Sequence, residues 1–247
     1  MGTIENCKYR NLPAGVSCTC PYVIFYDNCC KRECIKEHMD LDAVAFSCYG
    51  SQVYGTMTDK SDEDRVVVVP DKYSDYLDKH TNGIFEYRDP DYPVSDRQYM
   101  SESTFIKRIK DYDIMSIECL FCEHSYGMEK FSKYFIKNNW KIRESFCKVA
   151  SNSWVKAHKK MTVEKDLDVY KGQKSLFHCL RILMFGAQLC KYGKIVDFSQ
   201  ANDFWNDIYY NMKDASWEEY KAKYKPIYNK LHSELVKLAP KPFLFEE

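Results

Sequence analysis

The chain has 247 residues, 45% of them hydrophobic and 15% aromatic, enough for one large domain or two modest ones with a sizeable core. Lysine plus arginine equals aspartate plus glutamate at 36 each. That balance excludes a global field drawing in nucleic acid, so a polyanionic partner must meet a local patch.

Residues 1–40 read as an irregular, cysteine-rich arm marked by Pro13 and Pro21. The segment Met1 to Cys20 lacks a basic start and an apolar core, so no signal peptide is expected. No stretch approaches the roughly 18 consecutive apolar residues that would span a membrane. Twelve cysteines without a secretion signal then read as reduced thiols in a cytoplasmic protein. Cys18, Cys20, Cys29, Cys30 and Cys34 could ligate zinc, but their spacing is not a standard one, and unpaired thiols are the preferred reading.

Ala43 to Cys48 reads as a short buried strand entering a Gly50-Ser51 turn, and Gln52 to Met57 as a helical turn. Asp64 to Val69 reads as a buried strand ended by Pro70, with Asp62 and Asp64 at its start. At i and i+2 on a strand, both carboxylates project from one face. Two adjacent hard oxygen donors suit Mg²⁺ beside substrate phosphates. Residues 71–98 read as a loop and a return strand, and Ser101 to Lys110 as helix. In Ile114 to Phe121, alternation predicts a strand with Glu118 on one face.

From about 129 the period turns helical, over 129–160 (broken once), 171–192, 201–212 and 216–238. Gly193 is placed as a helix C-cap, and Ser216 with Glu219 forms a capping box. Trp217, Tyr220, Tyr224, Ile227, Leu231, Leu235 and Leu238 supply the apolar stripe of the last helix. Lys174, His178 and Arg181 share one helix face, opposite Leu176, Leu180 and Leu183. Basic residues between Lys130 and Lys160 interleave with aromatics such as Phe146 and Trp154. They form either a nucleic-acid groove or, the preferred reading, an amphipathic helix with a solvated basic face. The expected architecture is α+β, a small mixed sheet followed by an all-helical region. It divides into an arm (1–40), a sheet domain (41–125) and a helical domain (126–247).

The run Gly50, Ser51, Tyr54, Gly55 and Thr56, then Ser61, Asp62 and Asp64, resembles the polymerase-β-like nucleotidyltransferase superfamily. Within it the chain looks most like predicted nucleotidyltransferases associated with an RNA-repair pathway. Residues 117–121 and 174–183 carry the resemblance onward, which spans roughly residues 42 to 238. Val66 to Val69 stands where that family usually has a glycine, and Ile114-Met115-Ser116 where it tends to have Asn-Pro.

The resemblance implies Asp62, Asp64 and Glu118 as catalytic metal ligands, with Asp113 and Glu123 as rivals for the third place. It implies Mg²⁺, about two ions, as cofactor. Gly50, Ser51, Lys174, His178 and Arg181 become nucleotide-binding residues, ATP or another nucleoside triphosphate the substrate, and a hydroxyl, with RNA ends foremost, the acceptor. Protein side chains and a second nucleotide are the rival acceptors. Without the Gly-Ser motif, a solvated acidic turn would be the better reading of Asp59 to Asp64. The alternative function is an inactive nucleotide- or RNA-binding module of the same fold. No P-loop or Rossmann glycine pattern is present.

Overall fold

A computed structural model describes residues 39–88 and 95–242; the N-terminal cysteines discussed above lie outside the described residues. Five strands form one mixed sheet in the order β3-β4-β2-β1-β5. They are β1 (Ala45–Tyr49), β2 (Glu63–Val69), β3 (Phe85–Arg88), β4 (Ser95–Ser101) and the two-residue β5 (Ser125–Tyr126). β2 runs antiparallel to β1 and parallel to β4, and the parallel register sets Asp64 beside Asp96. Between the strands lie α1 (Ser51–Tyr54) and α2 (Ser74–Leu77). After β4 come α3 (Glu102–Lys110) and α4 (Ile114–Phe121), then α5 (Asn139–Thr162), α6 (Val169–Tyr192), α7 (Asn202–Asn206) and α8 (Trp217–Leu238). The fold is α+β, sheet first and helices after.

The valine run buries on both faces. Val66 and Val68 join Met100, Phe105, Ile109 and Leu120 on one side, while Val67 and Val69 join Phe85, Leu77 and Tyr99 on the other. A central strand covered on both faces has no reason to alternate. The helical core gathers α5, α6 and α8, with Phe146, Leu180, Phe185, Tyr220 and Leu235 buried. Tyr54 of α1 and Ile114 and Ile117 of α4 belong to that same core, so the two halves share packed side chains. β5 pairs with β1, and Met128 and Phe131 pack under the sheet, so chain past residue 125 still serves the sheet half.

The caps stand where local chemistry puts them. Gly193 (φ 73°) ends α6, and Ser216 and Glu219 close a reciprocal box at the start of α8. The 129–160 segment is a 3₁₀ stretch, Met128–Tyr134, followed by an unbroken α5, and the 201–212 segment is α7 followed by a π-turn, Asp207–Asn211. Ile114–Phe121 is a helix, which corrects the expected strand. The Asp113 carboxylate accepts from Ser116 N–H as an N-cap, and Ile114, Ser116, Ile117, Glu118, Cys119 and Leu120 are all buried. A helix buried almost all round shows no 3.6-residue period, so chance alternation read as strand. The aromatics of the basic run point inward, Phe146 fully buried and Trp154 packed on Trp217 and Tyr228, which leaves α5 amphipathic. No helix among the described residues is long and apolar enough to cross a membrane.

Candidate nucleotide-binding cleft

A cavity of about 580 Å³ opens between the sheet and the helical half. Gly50, Ser51 and Asp64 line one side, and Lys156, Lys174, His178 and Arg181 the other, with Glu118 at its floor. Residues far apart in sequence therefore meet. Asp62 lies just ahead of β2 and does not line the cavity; it acts on Asp64 through its charge and pairs with Arg88.

The turn before α1 depends on glycine. Gly50 has φ 78° and ψ −157°, a conformation essentially confined to glycine. A Cβ there would lie 2.4 Å from Asp64 Oδ2. The missing side chain thus lets the turn close onto the acid. Gln52 Nε2 donates to the Asp64 carbonyl (2.7 Å) and fixes the turn against β2. The Ser51 hydroxyl has no hydrogen bond to the described residues and faces the cleft.

Gly50→Ala is accordingly expected to cost about 1–3 kcal/mol of stability from backbone strain. It should also remove any Mg²⁺-induced rise in melting temperature, because the new methyl displaces the Asp64 carboxylate. Gly55→Ala is the control: φ is also positive (74°), but only Asn202 Nδ2 comes near, at 3.5 Å. Thermal scans with and without Mg²⁺ separate the two; equal Mg²⁺ responses would refute the close-approach role.

Three carboxylates feel one another at the sheet end. Burial, then Asp62 and Asp96, push the Asp64 carboxyl up to about 6, against Lys174 and Arg88. Arg88 Nη2 bridges Asp96 (2.9 Å) and Asp62 (3.2 Å). Among the described residues no three His, Cys, Asp or Glu side chains close tightly enough to make a metal-ligand group. Arg88 holds the space between two of these acids.

Glu118 stands on helix α4, which corrects its placement on the sheet, and its hydrogen-bond partners are not these acids. Its Oε1 accepts from Arg181 Nη2 (3.2 Å) and its Oε2 from the Tyr54 hydroxyl, all three side chains buried. Burial raises the Glu118 carboxyl, against the Arg181 charge and the Tyr54 hydrogen bond. The Arg181 guanidinium also stacks on the Tyr54 ring, 3.5 Å from its centroid. Of the rivals, Asp113 is spent as the α4 cap and on Arg108 (2.9 Å).

Asp96 is the acid the sequence reading passed over. A return strand was expected within 71–98, and β4 (Ser95–Ser101) supplies one, but no spacing announces that it pairs with β2 and sets Asp96 beside Asp64. Tyr54, a member of the Gly-Ser run with no site role expected of it, joins α1 to Arg181 and Glu118 through its ring and hydroxyl. Leu176, Leu180 and Leu183 are fully buried, as the helix-face argument required.

No family model matches the chain, and neither does any curated protein. Among solved structures, a nucleotidyltransferase-like protein from Exiguobacterium sibiricum is similar at 14% identity and a TM-score of 0.29. The match covers 84% of this chain and 72% of that one. A likeness this slight carries no argument about activity, and the functional reading rests on the cleft itself.

Proposed function

We propose that the protein is a metal-dependent nucleotidyltransferase that moves a nucleoside monophosphate from a triphosphate to a hydroxyl acceptor. One observation carries the reading: Asp64, which feels the charges of Asp62 and Asp96, and a Gly-Ser turn face lysines and a histidine across a single cleft. The donor chemistry suits Mg²⁺, although the acids are not closed into a ligand group and Arg88 would have to give way. Asp62, Asp64 and Asp96 offer hard oxygens, their mutual repulsion is what a divalent cation would relieve, and Arg88 already stands as a cation between two of them. Bound there, Mg²⁺ would neutralise phosphate charge and acidify the attacking hydroxyl.

The chain's own groups supply the rest. Gly50 and Ser51 face the phosphates with backbone amide and hydroxyl, and Lys174, close enough to act on Asp64, offsets their charge. The acceptor oxygen attacks the α-phosphorus, the α–β bridging bond breaks, pyrophosphate leaves, and the hydroxyl proton passes to a carboxylate of the aspartate cluster. RNA ends are the acceptor class that the sequence resemblance favours. The catalytic unit is residues 41–125, with 126–247 completing the sheet's edge and underside and closing the cleft.

The second reading, a nucleotide-binding module without chemistry, draws on Arg88, which would then be the resident cation of the acidic cluster. Incubation of the protein with each α-labelled triphosphate, total RNA and Mg²⁺ tests both. Mg²⁺-dependent label transfer with stoichiometric pyrophosphate, abolished by chelation, is the expected result. Triphosphate binding without pyrophosphate release would favour the module.

A further inference from the structure

His178 and Arg181 lie three residues apart on α6, with Arg181 Nη2 2.8 Å from His178 Nδ1. A guanidinium carries only donors and keeps its proton, so Nδ1 must accept. In a neutral imidazole whose Nδ1 accepts, the proton sits on Nε2. The charged form is disfavoured as well: burial, Arg181 and Lys156 hold His178 well below the ordinary histidine range. The remaining nitrogen meets no acceptor among the described residues, is not a fully buried orphan, and belongs to a cleft-lining side chain. It is an N–H donor available to a ligand.

Two lysines accompany it. Lys156 of α5 and Lys174 of α6 line the same cleft and have no ion-pair partner among the described residues. Their neighbours are committed: Lys171 to Asp168 (3.1 Å), Lys159 and Lys160 to Asp166, and Arg181 to Glu118. The groups facing this corner are Lys174 and Arg181 from α6, Lys156 from α5, Glu118 from α4 through Arg181, and Tyr54 from α1.

We propose that His178 is a fixed, neutral hydrogen-bond donor that, with Lys156, binds a phosphate oxygen in the cleft, and that Arg181 is a positioning residue rather than a phosphate ligand. This deepens the nucleotidyltransferase reading and rests on it for the source of the phosphate. That source is the donor triphosphate or a phosphate on the acceptor. Arg181 acts through His178. Glu118 holds the guanidinium, and the guanidinium holds the imidazole in the one tautomer that donates.

The test is ¹⁵N NMR on the full-length labelled chain, with His178→Gln to assign the signal. The expected spectrum has an unprotonated Nδ1 and a protonated Nε2, unchanged between about pH 5.5 and 8. An Nδ1–H tautomer, or an imidazolium at about pH 6.5, would overturn the proposal. Titration without metal then uses inorganic tripolyphosphate in one arm and a 5′-phosphorylated dinucleotide in the other. A shift of the Nε2–H signal with the first assigns the donor, and with the second the acceptor; a response to neither overturns it.

In the paired variant Glu118→Gln/Arg181→Met, which removes both buried charges together, the His178 titration should move up towards the ordinary histidine range, stopping short of it because burial remains, and the single tautomer should be lost. A merely structural Arg181 would leave that titration unmoved. These readouts need no turnover, so the proposal and the activity fail separately. Where turnover is measured, His178→Phe should raise the KM for the phosphate-bearing substrate about tenfold, the scale of one hydrogen bond to a charged group, with a smaller fall in kcat.

Discussion

Asp64→Asn is expected to raise the melting temperature of the metal-free protein at pH 8 and, in the same molecule, to abolish its response to Mg²⁺. The folded Asp64 carboxyl sits at about 6, above its ordinary 3.8, because burial and the charges of Asp62 and Asp96 oppose ionisation. The native state therefore holds a proton that the unfolded chain has released between roughly pH 4 and 6, and stability falls as pH rises through that window. Above it the ionised carboxylate is a standing liability, which an amide of the same shape removes. Mg²⁺ acts on the same liability from the other side.

At ten times its dissociation constant a ligand adds about 1.4 kcal/mol. For a chain of this size that is a rise of about 3–6 °C in melting temperature. The rise should be present at pH 8 in the parent and shrink towards pH 5 as protons replace the metal. Nucleotidyl transfer should fall by about two to three orders of magnitude in Asp64→Asn, the scale of losing one preorganised charge-stabilising group, and further in Asp62→Asn/Asp64→Asn. A double variant as active as the parent would end the enzymatic reading. A Mg²⁺ shift surviving in Asp64→Asn would move the metal elsewhere.

The second large effect concerns the buried pair. Removing one partner, as in Glu118→Ala or Arg181→Ala, strands a charge at the floor of the cleft. Such losses run to about 3–5 kcal/mol. Arg181→Ala also forfeits the stack on Tyr54, a desolvated cation–π contact of about 2 kcal/mol. Glu118→Ala should melt about 6–20 °C lower than the parent and Arg181→Ala about 10–28 °C lower, at roughly 2–4 °C per kcal/mol. The neutral pair Glu118→Gln/Arg181→Met should recover most of that loss, because what hurts is the unpaired charge rather than the missing bridge. Chemical denaturation of the three variants reads this directly. Single variants as stable as the parent would mean that solvent reaches the pair.

What the sequence revealed and concealed follows from the range of each interaction. Gly50, Ser51 and Asp64 were legible because a glycine-only turn and an acid opening a strand are features of a few neighbouring residues. The Ser216–Glu219 box and the Gly193 cap were legible for the same reason. The Lys174–His178–Arg181 face followed from helical spacing alone, and it does line the cleft. Its chemistry did not follow, since Arg181 finds Glu118 63 residues away and no spacing announces that partner. Asp96 was concealed because only the parallel register of β2 and β4 sets it beside Asp64. Glu118 was misplaced onto a strand because α4 is buried on nearly every side, which erases the helical period.

The shared packing of Tyr54 bears on how the chain acquires its working form. α1 carries the Gly-Ser turn, yet its tyrosine is held by Arg181, and its carbonyl accepts from Asn202 Nδ2 (2.7 Å). At a synthesis rate of about 5–20 residues per second, the aspartates and the turn are made several seconds before α6 and α7. In that interval Glu118 has no guanidinium and α1 lacks its hold on Arg181 and Asn202. The nascent sheet half can pair its strands and hold the turn through Gln52, but the cleft still lacks its second wall. Competence for ligand thus arrives with the C-terminal helices, as one late event rather than by degrees.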